Sequence, residues 1–201
     1  MRTAKQYRET MKKVQARQRA RVQAANERRG IWVCNTGNGK GKTTAALGMA
    51  LRALGHGQRV GLVQFIKGKW KTGEGRFLAE IPGLTHIVSG DGFTWDTQDR
   101  AKDAASARRG LEAAKELLTG EHDPPYDLVI LDEVHIAIGH GYLSDEEVVA
   151  VCQARPIDTS VVTTGRGASM ALRDAADTVT EMRVMKHAFQ GGIRARKGVD
   201  F

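Results

Sequence analysis

Short apolar runs alternate with amphipathic stretches along most of the chain. Nearly continuous apolar runs between turn residues are typical of strands covered on both faces. They predict strands at 31–35, 59–66, 85–88, 126–133, 160–164 and 177–185. Helical spacing of the apolar residues predicts helices at 42–54, 100–118, 144–154 and 168–176, with a short helix through Phe77 and Leu78. The alternation predicts an α/β fold, a mostly parallel sheet with helices on both faces.

The first 29 residues are predicted to form a separate basic helix. Residues 3–29 contain no Gly or Pro and are rich in Ala, Arg, Lys and Gln, which favours helix. The apolar residues that recur at helical spacing form one narrow seam: Ala4, Tyr7, Met11 and Val14. A seam this thin cannot form its own core, so we expect it to lie on the domain, on another subunit or on a ligand. A solvated, partly disordered tail is the alternative.

Charge separates the two predicted parts, 1–29 and 30–201. The net charge of the 201 residues is +8, and residues 1–30 alone carry ten Lys/Arg against two Asp/Glu. The rest of the chain is neutral, which disfavours nucleic-acid binding by the domain. No apolar run approaches the roughly 20 residues of a membrane span, and no secretory signal is present. Cys34 and Cys152 lack metal-ligand spacing, and a cytoplasmic location is expected.

A glycine-rich loop between the first strand and the first helix is the main chemical signal. Its three glycines allow backbone N–H groups to surround an anion, Lys42 can reach phosphate oxygens, and the Thr43 hydroxyl can hold Mg²⁺. The P-loop pattern has glycine at both ends, whereas Thr36 stands at the first of those positions. The predicted triphosphate-binding residues are Thr36, Gly37, Asn38, Gly39, Lys40, Gly41, Lys42, Thr43 and Thr44.

Two carboxylates end the apolar strand at 126–133. Asp132 and Glu133 stand where a Walker B element would complete a metal shell with Thr43, directly or through water. The predicted metal is Mg²⁺, with Mn²⁺ as the alternative, and the pattern leaves open which carboxylate binds it directly. Arg166 follows the strand at 160–164 and is expected at the same ligand-binding edge of the sheet.

An aromatic pair lies in a predicted loop. Phe93 and Trp95 are two of only eight Phe and Trp residues. They could cap an edge of the core or form a platform for a planar ligand. Three functions compete at this point: a nucleotide hydrolase or motor, a small-molecule transferase that uses ATP, and a nucleotide-dependent regulator or nucleic-acid-binding protein. The small size and the aromatic loop favour the transferase.

Several motifs in one order resemble a known family, the P-loop ATP:corrinoid adenosyltransferases. The resemblance covers about residues 28–201, with a similar basic helix before it. The shared pieces are the loop with Ala45-Ala46, Leu51-Arg52-Ala53-Leu54-Gly55-His56-Gly57, Val63-Gln64-Phe65-Ile66-Lys67-Gly68, Gly92-Phe93-Thr94-Trp95, the strand that ends at Asp132-Glu133, Thr164-Gly165-Arg166, and Val179-Thr180-Glu181-Met182-Arg183 before Lys186-His187-Ala188-Phe189. Thr36 in the loop is itself typical of this family.

The resemblance implies a P-loop NTPase fold of the RecA-like type and a specific reaction. The family transfers the 5′-deoxyadenosyl group of ATP to the Co(I) of a reduced corrinoid and releases triphosphate, with ATP held in the reverse sense to most P-loop enzymes. Lys42 would stabilise the leaving triphosphate, and Phe93 and Trp95 would exclude the lower axial ligand of cobalt. The resemblance further implies a homodimer, whose N-terminal helix closes over the neighbouring site, and an electron donor such as reduced flavin or flavodoxin.

Overall fold

The sheet is parallel throughout. A computed structural model describes residues 3–66, 73–78, 80–90 and 99–199. The strands are β1 (Trp32–Thr36), β2 (Val60–Gln64), β3 (Leu84–Val88), β4 (Leu128–Asp132), β5 (Ser160–Thr164) and β6 (Thr178–Glu181), in the spatial order β3-β2-β4-β5-β1-β6. All five neighbouring pairs run parallel, so every strand delivers its last residue to the same edge.

Helices cover both faces of this sheet, as the sequence predicts. They are α1 (Ala4–Ala24), α2 (Lys42–Gly55), α3 (Gly73–Leu78), α4 (Arg100–Thr119), α5 (Val134–Gly139), α6 (Asp145–Gln153) and α7 (Met170–Ala175), with a 3₁₀ turn at Ala188–Gly191. Ser144 caps α6 in the predicted capping box with Glu147, through bonds of 2.8 and 3.1 Å. No helix among the described residues is both long and apolar enough to cross a membrane.

Alternate residues of the strands feed two separate apolar cores. One core packs α2 and Leu78 against the face that carries Val33, Leu62 and Ile130. The other packs α4 to α7 against the face that carries Cys34, Val63 and Leu131. Side chains alternate between the two faces along a strand. The position of a residue in its strand therefore decides which face its side chain lies on, and only side chains on the same face of the carboxyl edge can contact each other.

The N-terminal segment forms a helix, as the sequence predicts, but the helix is shorter than predicted. Thr3 and Gln6 form a capping box at its start, and it ends at Ala24 rather than at residue 29. No residue of α1 is buried, and Tyr7, Met11 and Val14 are 59%, 42% and 45% exposed. The proposed seam is therefore on the surface of the single chain.

A tertiary contact, which local sequence does not encode, keeps residues 25–29 out of the helix. Arg29 donates two hydrogen bonds to Asp177, at 3.0 and 2.6 Å, and the N–H of Trp32 donates to the same carboxylate at 2.7 Å. Gly30 N–H donates to Ile157 O at 2.7 Å. These bonds direct the chain into β1 and fix the point from which α1 departs.

Three of the six strands in the described residues, β2, β4 and β6, are shorter than their apolar runs. β2 ends at Gln64 rather than at residue 66, and β6 ends at Glu181 rather than at residue 185. β6 pairs with β1 up to the Thr36–Glu181 position, and β1 itself ends there. The apolar run at 177–185 therefore extends beyond the strand, because β1, with which β6 pairs, ends at Thr36.

The clamp on Asp177 gives a prediction for stability and its pH dependence. Hydrogen bonds from Arg29, followed by that from the Trp32 N–H, lower the pKa of Asp177 to about 2. We expect Asp177→Asn to lower the free energy of unfolding at pH 7 by about 1–3 kcal/mol, the range for hydrogen bonds to a charged group. Because the folded pKa lies below the unfolded value of about 4, the stabilisation is complete above that value and is lost as pH falls towards 2.

Urea denaturation between pH 7 and pH 3 measures both effects. Glu27→Gln is the matched control, because Glu27 also bonds Arg29 but its side chain is 75% exposed, and we expect a change within about 0.5 kcal/mol. Equal stability of Asp177→Asn and the unaltered chain at pH 7 would contradict the role of the clamp.

Candidate functional site

The glycine-rich loop joins β1 to α2 at the carboxyl edge of the sheet. Gly41 is the residue before α2 and has φ of 109°, and Gly37 has φ of 94°. Residues with a side chain rarely adopt these backbone angles, so the turn itself requires glycine at both positions. The loop therefore delivers the amino end of a 14-residue helix to the site, which favours an anion there.

The segment that follows β6 is hydrogen-bonded to the glycine-rich loop. Gly39 N–H donates to Met182 O at 2.7 Å, and Met182 N–H donates to Thr36 O at 2.8 Å. A Cβ on Gly39 would lie 2.7 Å from Met182 C, and one on Gly37 would lie 2.4 Å from Met182 O. The glycine pattern predicts N–H groups that face an anion, but the N–H of Gly39 is used inside the protein. Glycine is needed here for close approach of two backbones.

Thr36 has a structural task that accounts for its place in the loop pattern. Its side chain is fully buried, and its hydroxyl accepts a hydrogen bond of 3.0 Å from Ala168 N–H. As the last residue of β1 it keeps an extended backbone, which does not require glycine. Thr36 thus ties the loop to the segment that precedes α7.

Lys42 lies under the loop with its charge largely shielded from water. Its Nζ donates to Gly37 O and Gly39 O, both at 2.7 Å, and the residue is 7% exposed. Burial lowers the pKa of Lys42, and the charge of Glu133 acts in the opposite direction. The ammonium therefore occupies the concave side of the loop, where a phosphate oxygen would meet it.

Asp132 is the centre of a hydrogen-bonded cluster under the amino end of α2. The residue has no exposed surface. Its Oδ1 accepts from the hydroxyls of Thr43 at 2.8 Å and Thr164 at 2.7 Å, and its Oδ2 accepts from Gln64 Nε2 at 2.9 Å. Thr43 and Asp132, predicted from separate motifs to share a metal, are thus in direct contact.

Glu133 has a different environment from Asp132. Its φ of 64° is the one positive φ of a non-glycine residue in the described ranges, and such a conformation costs about 1 kcal/mol or more. Its N–H donates to Thr164 Oγ1 at 2.9 Å, which holds the turn. Glu133 borders the cavity, whereas Asp132 lies behind Thr43. Of the two carboxylates, Glu133 is the one with access to a ligand.

A cavity of about 840 Å³ opens above the loop. It is bordered by Asn38, Gly39, Lys40, Gly41, Lys42, Thr43, Thr44, Glu74, Glu133, Arg166, Val184, His187, Phe189, Gln190 and Val199. The loop borders the cavity with polar groups and cations, the polar wall. The segment that follows β6 borders it with Val184, Phe189 and Val199, which we call the apolar wall, and also with His187 and Gln190. Phe93 and Trp95 lie outside the described residues.

The turn that carries Arg166 is held by a buried histidine. His135 Nδ1 donates to Gly165 O at 3.1 Å, and a Cβ on Gly165, whose φ is 143°, would lie 2.7 Å from His135 Cβ. Burial lowers the pKa of His135 to about 4, so its ring is neutral at neutral pH. Arg166 borders the cavity at the carboxyl edge of the sheet, and His135 holds the turn that carries it.

The donor set suits a hard divalent cation. Thr43, Asp132 and Glu133 supply only oxygen, the ligand that Mg²⁺ prefers together with substrate phosphates. The described part of the chain has no group of three or more His, Cys, Asp or Glu side chains placed to hold a metal ion. The residues present therefore fit Mg²⁺ held partly by a nucleotide.

Several residues of the site were not singled out as functional residues from the sequence. Gln64 and Thr164 end their strands at the level of Asp132, so a polar residue at the end of an apolar strand was the available signal. Met182 contributes through its backbone, for which side-chain chemistry gives no signal. Val184 lies in the run predicted as a strand at 177–185, and Phe189 and Val199 lie in the Gly- and Arg-rich stretch that follows it, for which the sequence allows either a loop folded over the site or a free tail.

Comparison with known proteins identifies similar chains over nearly the whole length. The model of the family described as ATP:corrinoid adenosyltransferase BtuR/CobO/CobP matches residues 28–201. A corrinoid adenosyltransferase of Pseudomonas aeruginosa is 49% identical over 196 residues, 97% of this chain and 95% of that protein. Corrinoid adenosyltransferase CobA of Salmonella typhimurium is 47% identical, and that of Escherichia coli K12 is 46% identical, each over 195 residues and 97% of both chains.

The contact between the loop and Met182 predicts that Gly39 does not tolerate a side chain. We expect Gly39→Ala to lower the free energy of unfolding by about 1–3 kcal/mol, as overpacking against backbone does. Gly48→Ala is the matched control, since Gly48 lies within α2 and nothing lies within 4 Å of its added Cβ. That change should stabilise by about 0.5–1 kcal/mol. Thermal or urea unfolding measures both, and a neutral Gly39→Ala would refute the close approach.

Proposed function

The chain belongs to the ATP:corrinoid adenosyltransferase family, and from that membership we propose that it transfers the 5′-deoxyadenosyl group of ATP to the Co(I) of a reduced corrinoid and releases triphosphate. The enzyme is a transferase that serves cobalamin biosynthesis or salvage. One observation of the structure supports this most directly. The loop that holds Lys42 opens into a cavity of about 840 Å³ that Val184, Phe189 and Val199 also border, which suits a triphosphate at the loop and a planar group against these apolar side chains.

The reaction needs no general base. The electron pair of Co(I) forms a bond to C5′ of the ribose, and the C5′–O5′ bond breaks. Triphosphate leaves with the electron pair of the C5′–O5′ bond, and cobalt becomes formally Co(III). The substrate supplies the nucleophile. What the protein contributes is alignment of cobalt with the C5′–O5′ bond and stabilisation of charge on the leaving group.

Cations on the polar wall are suited to that charge. Lys42 Nζ already lies 2.7 Å from two loop carbonyls, and a phosphate oxygen placed in the loop would compete with them for this ammonium. Lys40 and Arg166 border the same cavity. These cations suit a P-loop that holds a leaving triphosphate as a unit. The resemblance to the family implies that ATP is held in the reverse sense, so that C5′ faces the corrinoid.

Magnesium is the metal that the donor set fits, with manganese as the alternative. Thr43 and Glu133 would hold it together with phosphate oxygens, and Asp132 would act through Thr43 or through a metal-bound water. When bound there, the ion would neutralise part of the charge that accumulates on triphosphate. Asp132 keeps the Thr43 hydroxyl in place through their 2.8 Å bond.

The apolar wall is suited to a planar substrate group. Phe189 is 74% exposed and Val199 is 76% exposed, although both border the cavity. Burial of such side chains against a ring system is favourable. Phe93 and Trp95 are assigned, by resemblance to the family, to the lower face of the corrin ring, where apolar rings would keep a donor away from cobalt and ease reduction of Co(II).

Helix α1 is assigned to the interface of a homodimer. A 21-residue helix with no buried residue and with exposed Tyr7, Met11 and Val14 has an apolar seam that a second subunit would cover. Its basic charge suits ATP at the neighbouring site. An electron donor such as reduced flavin or flavodoxin would supply Co(I). Both cysteines are free thiols, which accords with the cytoplasmic location expected from composition.

The product of the ATP reaction tests the function. Incubation with ATP, Mg²⁺ and chemically reduced cobalamin should give the absorption spectrum of the adenosyl form, with triphosphate in equal amount. Lys42→Ala should abolish both products, because it removes the ammonium that meets the phosphates. Orthophosphate formed without any corrinoid would indicate a hydrolase and would contradict the proposal.

The aromatic pair can be tested by the oxidation state of the substrate. We expect Phe93→Ala with Trp95→Ala to retain turnover of pre-reduced Co(I) within about 3-fold, while turnover from Co(II) with a reductant falls by about 10-fold or more, which corresponds to about 1.4 kcal/mol. Phe77→Ala is the control, since Phe77 is an exposed aromatic residue on α3 and should affect neither. Equal loss from both oxidation states would exclude the axial-ligand role.

A further inference from the structure

A chain of hydrogen bonds extends from Asp132 away from the cavity. Gln64 Nε2 donates to Asp132 Oδ2 at 2.9 Å, and Gln64 Oε1 is 2.9 Å from His86 Nε2. Gln64 and Asp132 are register partners on β2 and β4. His86 lies on β3 opposite Leu62, two residues before the level of Gln64. All three side chains are on the face covered by α2, as the apolar contacts of Leu62 and Ile130 show.

The chemistry of the groups fixes the direction of every bond in this chain. A carboxylate only accepts, so Gln64 must present its NH₂ to Asp132. The Gln64 oxygen then faces His86, and His86 must carry its proton on Nε2 to donate to it. On the other side, the Glu133 N–H donates to Thr164 Oγ1, which leaves the Thr164 proton for Asp132. The donors around Asp132 thus have one consistent arrangement.

We propose that His86 is a positioning residue for adenosyl transfer: its Nε2–H orients the Gln64 amide, which in turn orients Asp132 and, through it, the Thr43 hydroxyl. The proposal rests on the proposed function, in which Thr43 takes part in binding Mg²⁺–ATP. His86 touches no substrate. Without a donor at this position, the Gln64 oxygen loses its partner and the amide is free to turn away from the Asp132 carboxylate. Asp132 then loses the Gln64 donor and no longer holds Thr43 in one position.

Two substitutions at position 86 separate the donor from the volume of the side chain. His86→Leu removes the donor, and His86→Gln keeps an N–H at a similar distance from the backbone. Thr85→Val is the matched control on the same strand. Thr85 lies on the opposite face, where its hydroxyl is 2.7 Å from Tyr126 Oη, so the variant also loses one hydrogen bond without reaching Asp132.

The first measurement is binding of Mg²⁺–ATP by calorimetry, together with the Mg²⁺ concentration that gives half-maximal adenosylation. We expect His86→Leu to raise both constants about 5-fold, as loss of one hydrogen bond would, while His86→Gln and Thr85→Val stay within about 2-fold. His86→Leu within 2-fold of the unaltered enzyme would overturn the proposal. Equal loss in His86→Leu and His86→Gln would also overturn it, because packing rather than the donor would then matter.

The second measurement does not depend on activity. Nitrogen-15 NMR of the unaltered protein, assigned by comparison with His86→Gln, should show the Nε2–H form of the His86 ring. The Nδ1–H form would overturn the proposal even if His86→Leu failed to fold. If the unaltered protein formed no adenosylcorrinoid, the proposed function would fail, and the calorimetric and NMR results would still decide the role of His86 in nucleotide binding.

Discussion

A carboxylate removed from water destabilises a protein by several kcal/mol unless donors surround it, and Asp132 imposes that constraint on the whole carboxyl edge of the sheet. Its two oxygens accept from Thr43 on α2, Thr164 on β5 and Gln64 on β2. The donors come from three elements on either side of β4. Loss of the parallel register between these strands would leave the charge uncompensated, so the cluster ties strand pairing to the geometry of the loop.

The loop combines two kinds of glycine requirement. Gly37 and Gly41 provide backbone angles that side chains rarely adopt, while Gly39 provides space for the backbone at Met182. The contact with Met182 also links the loop to the segment that forms the apolar wall of the cavity. Two backbone hydrogen bonds, Gly39 to Met182 and Met182 to Thr36, therefore attach the start of that segment to the loop.

The sequence predicted the parts of this site that depend on local patterns. The glycine loop, the order of strands and helices, the bounds of β5 and the capping box at Ser144 all follow from residues close together in the chain. The pairing of Thr43 with Asp132 followed from two strong motifs. Gln64, His86 and Met182 could not be predicted, because their roles arise from strand neighbours 22 to 146 positions away. The end of α1 at Ala24 was missed for the same reason, since Asp177 is 148 positions from Arg29.

The Arg29–Asp177 clamp also limits where α1 can go. It lies at the amino end of β1, the edge of the sheet opposite the cavity, and α1 ends at Ala24, only a few residues before Arg29. At 1.5 Å per residue the 21 residues of α1 span about 31 Å, so the helix can reach surfaces within roughly that radius of a fixed point. Each residue inserted between Ala24 and Arg29 would move the whole helix relative to whatever it covers. The length of this connection is therefore more constrained than the sequence on the surface of the helix.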